Sequence, residues 1–306
     1  LLDWQPVRGP VETTVTVSGP WSLSVAESAT EARLEGPEPR TIAAPRRFRI
    51  TDTLIDGEYA VVVAGDTLEQ KPGVATVIDL ASGRIRTLDG SSPVPTTNGG
   101  SWTLGEGRVL HATIGPGRAY CLASVDLASG ASERLWCAEP RHGFNGTAIT
   151  PAGVSLMTFD DQRPSCRTVV AVTGSGLTPV PGVPKCLGWE GLATPEGAVW
   201  SVVPDQQRIE QAQMFARVGE EYYDLGPGTS GTLLWCSDAA YFARDPQRDG
   251  QPASILRWDG VRLEVVHETA GRGPAFVADQ ARCGQDALTV TTLARNGDAQ
   301  VTAKLR

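Results

Sequence analysis

Six cysteines and three short polar loops are the parts of this sequence whose residue types and spacing carry chemistry. Cys121, Cys137, Cys166, Cys186, Cys236 and Cys283 are even in number, and none forms the tight CxxC pair that zinc favours, so oxidised pairs are the expected state. Cys121 and Cys137 each lie 8 residues from Ser129, within the turn running from Asp126 to Gly130. Cys166 and Cys186 each lie 10 residues from Gly176, at the turn Gly174, Ser175, Gly176. That symmetry predicts two hairpins stapled across paired strands and leaves Cys236 to pair with Cys283. Such bonds persist outside the cytoplasm. Buried free thiols in a cytoplasmic protein are the alternative.

The polar loops are Asp160-Asp161-Gln162-Arg163, Asp205-Gln206-Gln207-Arg208 and Asp245-Pro246-Gln247-Arg248, in each of which Gln and Arg follow an Asp. Arg presents a planar fork that grips carboxylates or carbonyls, and Gln both donates and accepts hydrogen bonds. A rim containing Asp161, Arg163, Asp205, Arg208, Asp245 and Arg248 therefore suits a protein or a small ligand. The competing reading is turn chemistry, because Asp starts turns and Arg is soluble. A second echo is Gly143-Phe144-Asn145-Gly146, Gly188-Trp189-Glu190-Gly191 and Gly228-Thr229-Ser230-Gly231. Phe144 and Trp189, with Trp102 and Trp235, are expected to form an apolar collar in which His142, Asn145 and Glu190 orient a ligand. Packing between sheets is the alternative use of these aromatics.

Catalysis has weaker support. Glu190, Asn145 and His142 are the residue types of a metal-assisted hydrolase, lactonase or lyase, and that is the alternative function. Only three His occur in the chain, no nucleophile-elbow motif is present, and the carboxylates match no standard calcium loop. No catalytic residue, metal or cofactor is assigned.

The elements that position these residues repeat. Five hairpins recur: Val74 to Leu88, Cys121 to Cys137, Thr168 to Val180, Gln213 to Leu225 and Ser254 to Val266. Each has an Asp or Gly turn between alternating hydrophobic runs. Before each, and once more near the end, lies another strand pair whose turn contains Gly57, Gly107, Gly153, Gly197, Ala239 or Asp286. The steps between these positions are 50, 46, 44, 42 and 47 residues. Four antiparallel strands per repeat of that length are the arithmetic of a β-propeller blade. The all-β chain is thus predicted to be a six-bladed β-propeller with four-stranded antiparallel blades. Seven blades are the alternative if the first 45 residues supply a degenerate one. The last blade, short of a fourth strand, is expected to be closed by an N-terminal strand drawn from Glu12 to Val25. The economical organisation is a single domain over 1–306, with 1–45 as the closing region.

Composition agrees. The 34 Gly and 22 Pro in 306 residues exclude a helical bundle. A formal net charge of -8 repels phosphate backbones and anionic lipid, which argues against nucleic acid and membrane-surface partners. No run of apolar residues is long enough to insert directly into a bilayer. The start Leu1-Leu2-Asp3-Trp4, lacking Met, is what removal of a signal peptide or anchor leaves. Lys occurs only at Lys71, Lys185 and Lys304, an Arg-rich bias that suggests a bacterial gene of high GC content.

The blade repeats VATVIDLASGRIRTL and CLASVDLASGASERLWC, with their shared DLASG turn, resemble the TolB-like and YVTN-type extracytoplasmic propellers, especially secreted propellers of actinomycetes. The resemblance covers most of the chain and implies a propeller fold that binds other proteins or ligands; no catalytic motif carries over. The expected protein is a monomeric, extracytoplasmic binding or sensory module whose unknown protein or small-ligand partner sits on the loop face.

Overall fold

The computed structural model describes residues 2–174, 176–270, 275–295 and 297–305; Leu1, Ser175 and Arg306, named above, lie outside them. The fold is a β-propeller of seven four-stranded antiparallel blades. Blade one comprises strands Thr14–Ser18, Trp21–Val25, Glu31–Glu35 and Arg40–Ala43. Blades two and three span 48–88 and 102–137, and blades four, five and six span 142–179, 188–227 and 234–268. Blade seven takes Ala275–Cys283, Ala287–Ala294 and Ala299–Lys304 and is completed by Trp4–Pro6. No helix is long and apolar enough to cross a membrane.

The expected six blades are thus one short, and the seven-blade alternative is the one realised. The segment assigned as closing strand, Glu12 to Val25, instead forms the first hairpin of blade one, with Thr14 opposite Val25 and Ser18 opposite Trp21. Its strands are only four or five residues long, so its repeat is shorter than those counted from Gly57 onward. The closing strand lies further upstream, with Trp4 opposite Ala303 and Pro6 opposite Val301. Proline suits that place because an outermost strand leaves one row of backbone N–H groups unneeded.

The second strands of blades two and five are more continuously apolar than the predicted alternation, because both of their faces are covered. In Tyr59–Asp66, Ala60, Val62 and Ala64 pack with Trp21, Leu23 and Leu34 of blade one. Val61 and Val63, pointing the other way, pack with Trp102, Val109 and Val125 of blade three. Blade five repeats the arrangement: Ala198, Trp200 and Val202 meet Val169 and Val180 of blade four, while Val199 joins Phe242 and Leu256 of blade six. The two-residue period of a strand assigns each side chain to one neighbour or the other.

By their contacts, residues divide into two compact units. One contains 8–140 and 283–287, hence blades one to three; the other contains 1–7, 141–282 and 288–306, hence blades four to seven. Cys121 and Cys137 are directly opposed and disulfide-bonded, as their symmetry predicts. Cys166 and Cys186 are bonded across the base of their hairpin, just outside its paired strands. Cys236 and Cys283 are also in disulfides, and no cysteine is free among the described residues.

Trp4 anchors the closing strand: its indole Nε1–H donates to the Val266 carbonyl at 2.7 Å, and its ring lies 4.7 Å from that of His267. Trp4→Ala is expected to lower the unfolding free energy by about 2 kcal/mol or more, through lost ring burial and hydrogen bond. Urea unfolding checks this. An unchanged midpoint would show that the Trp4 side chain does not anchor the strand.

Candidate functional site at the loop-bearing end of blades four to six

In an antiparallel blade the start of the first strand and the loop joining the second and third strands lie at the same end of the sheet. The two sequence echoes therefore meet at one end of each blade. In blade four that loop follows Asp160, whose carboxylate accepts from the backbone N–H groups of Cys166 at 2.8 Å and Gln162 at 3.1 Å. These bonds, led by Cys166, hold the Asp160 carboxyl below its ordinary range. The Cys166–Cys186 disulfide then ties the loop to the connection leading into blade five. Arg141, just before the first strand, donates to Asp161 at 2.6 Å and closes the loop from the other side.

Ties between blades continue across this end. The Gln206 side-chain amide in the blade-five loop donates to the Ser165 carbonyl in the blade-four loop. Glu190, in the first strand of blade five, accepts from the backbone N–H groups of Gly231 at 3.0 Å and Leu233 at 3.2 Å, both leading into blade six. Gly231 has φ of 79°, a left-handed conformation that glycine adopts without steric cost. Beside Glu190, a Cβ on Gly191 would collide with the Val169 side chain, so glycine lets blades four and five approach here. At the junction of blades five and six, Thr229 and Thr232 bond Asp245 and Ala243 through their hydroxyls, and Arg244 donates to the Leu225 and Pro227 carbonyls.

The expected site residues divide by environment. Asp160 and Asp205 are turn formers: Asp205 accepts the Gln207 backbone N–H at 2.9 Å, as Asp160 accepts that of Gln162. Asp245 is half-buried against Thr229, Asp161 is paired with Arg141, and Arg208 is paired with Glu210 at 3.2 Å. Arg163 and Arg248 are exposed and make no ion pair among the described residues. His142 and Asn145 are exposed at the start of blade four, and Trp189 is half-buried at the start of blade five.

The collar does not form as expected. Phe144 is only 2% exposed and offers a ligand no surface, because its side of the strand faces the core. Trp235 packs in the blade-five to blade-six core. Trp102 is buried and stacks on buried His111 at 4.9 Å. Glu190 is 9% exposed with both carboxylate oxygens bonded to the neighbouring blade, so it serves as a clamp between blades. Among the described residues no group of three or more His, Cys, Asp or Glu is placed to hold a metal ion.

Two residues of this end escaped the sequence reading. Arg167 follows a disulfide cysteine and places its guanidinium 4.2 Å over the Trp189 ring. Phe276, in the first strand of blade seven, is 49% exposed. No adjacent Gly-aromatic pair like Gly143-Phe144 or Gly188-Trp189 marks it, because Ala275 precedes Phe276.

Burial pushes the Glu190 carboxyl up from 4.5 to about 7, against the opposing pull of the Gly231 and Leu233 amides. The folded state therefore holds a proton that the unfolded chain releases near pH 4.5. This contribution to stability is complete below that value and is lost as pH rises toward about 7, by on the order of 3 kcal/mol. Glu190→Gln, a neutral isostere, is expected to remove that slope. Urea midpoints at about pH 5 and 7.5 for both proteins check it; parallel losses would show the carboxylate ionised throughout.

No family model matches this sequence, and no curated protein matches it. Solved structures share its fold. The β-propeller domain of the Trilobed protease from Pyrococcus furiosus superposes with a TM-score of 0.66 at 12% identity, over 95% of both chains. A prolyl endopeptidase gives 0.61 at 11% identity, over 94% of this chain and 45% of its own. The tricorn protease gives 0.57 at 8% identity, over 98% of this chain and 36% of its own. This chain thus spans less than half the length of those two, and what it shares with all three at such identities is the β-propeller fold.

Proposed function

We propose that this protein is an extracytoplasmic binding module, a TolB-like propeller forming one domain over 1–306, that holds a protein or small ligand on the loop-bearing end of blades four to six as a monomer. The observation that carries the proposal is a division of labour at that end. The backbone is fastened loop to loop by Gln206, Glu190 and the Cys166–Cys186 disulfide. Arg163, Arg248 and Asn145, exposed above it, are not among the groups that fasten it. A platform already rigid before binding loses little conformational entropy when a ligand arrives, so modest polar contacts suffice for affinity. The disulfides support a location in an oxidising compartment.

Arrays of short peptides and glycans probed with the labelled protein test the assignment. Ligands retained by the native protein are expected to lose at least tenfold in signal with the combined Arg163→Glu, Arg208→Glu and Arg248→Glu variant. Arg262→Glu, exposed in the turn between the last two strands of blade six, is expected to leave them unchanged. Equal losses, or none, would move binding away from this end.

A further inference from the structure

Arg167 opens the third strand of blade four, next to the Cys166–Cys186 disulfide and bridged through its backbone to Leu187. Its guanidinium lies 4.2 Å from the centre of the Trp189 ring, within the range of a cation–π contact. Among the described residues no carboxylate pairs with it and none of its N–H groups meets an acceptor; Nε is buried without a partner. Three arginines at the same end differ. Arg141 has Asp161, Arg208 has Glu210, and Arg244 has two backbone carbonyls. A guanidinium taken partly out of water without an acceptor is costly, and Arg244 shows how this fold satisfies one that serves only structure. The stack on Trp189 and the disulfide beside it hold the Arg167 fork in place, so little side-chain entropy remains to be lost on binding.

We infer that Arg167 and Trp189 form a binding site for a peptide carboxylate, with Arg167 gripping the carboxylate through its unpaired N–H groups and Trp189 offering apolar surface to the adjoining side chain. This rests on the loop-end binding reading and names the chemistry of its ligand. A single guanidinium, in a chain of net charge -8, matches a single negative charge and disfavours phosphate or a polyanion.

The experiment follows the Trp189 indole N–H resonance of ¹⁵N-labelled protein, assigned with Trp189→Phe. The probes are Ac-Ala-Ala-Phe with a free carboxylate, its C-terminal amide, and Ac-Ala-Asp-Phe amide, which separates a side-chain carboxylate from a chain terminus. The free acid, the Asp peptide or both are expected to shift the resonance saturably. Binding is expected to weaken at least tenfold for the Ala-Ala-Phe amide and in Arg167→Gln, and less in Arg167→Lys, which keeps charge and stem. Equal measurable affinity for the free acid and its amide, indifference of the carboxylate binding to Arg167→Gln, or no shift with either carboxylate overturns the inference. If the arrays still lose signal in the Arg163, Arg208 and Arg248 variant, only the carboxylate assignment falls and the loop-end reading stands.

Discussion

The need to cover both faces of a small sheet governs this molecule. A four-stranded sheet with residues such as Val61 and Val62 on opposite faces is soluble only when a neighbour covers each. Neighbouring blades meet that need in turn, and their loops are brought together as a consequence. Glycine at 191 and the backbone-directed carboxylate of Glu190 occur where two such sheets come close, so features near the loops answer first to packing.

Much of this was legible in the sequence, and for identifiable reasons. Turn residues at Gly57, Gly107, Gly153 and Gly197 mark hairpins whose register depends on local chemistry, so spacing alone located the strands of blades two to five. Cys121 opposite Cys137 was legible because a hairpin places residues equidistant from its turn side by side. Blade one was less so: its strands are short, and its turns at Gly19 and Ala26 to Thr30 lack the shared DLASG string. The closing strand, three residues long, has no periodicity to read; only its pairing with Ala299–Lys304 defines it.

The candidate site was legible by location and not by role. Sequence aligned Phe144 with Trp189 and Asn145 with Glu190 at the starts of first strands, but which side of a strand faces solvent depends on bulges such as those between Asn145 and Ala148 and between Gly188 and Glu190. Phe144 turns inward while Asn145 is exposed. Arg167 was invisible as a functional group because its distinction is negative: its buried Nε meets no acceptor, and a sequence does not reveal what a side chain fails to touch.

The pairing of Trp4 with Ala303 also bears on how the chain reaches this state. Six sheets are assembled from hairpins between adjacent segments and can form as each segment is released. The seventh must wait for two stretches separated by nearly the whole polypeptide, the slowest kind of encounter in folding. Until it occurs, the edge of Ala299–Lys304 is a row of unsatisfied backbone groups open to pairing with another molecule. The interval before that last encounter is when this protein is most exposed to aggregation, whatever its final stability.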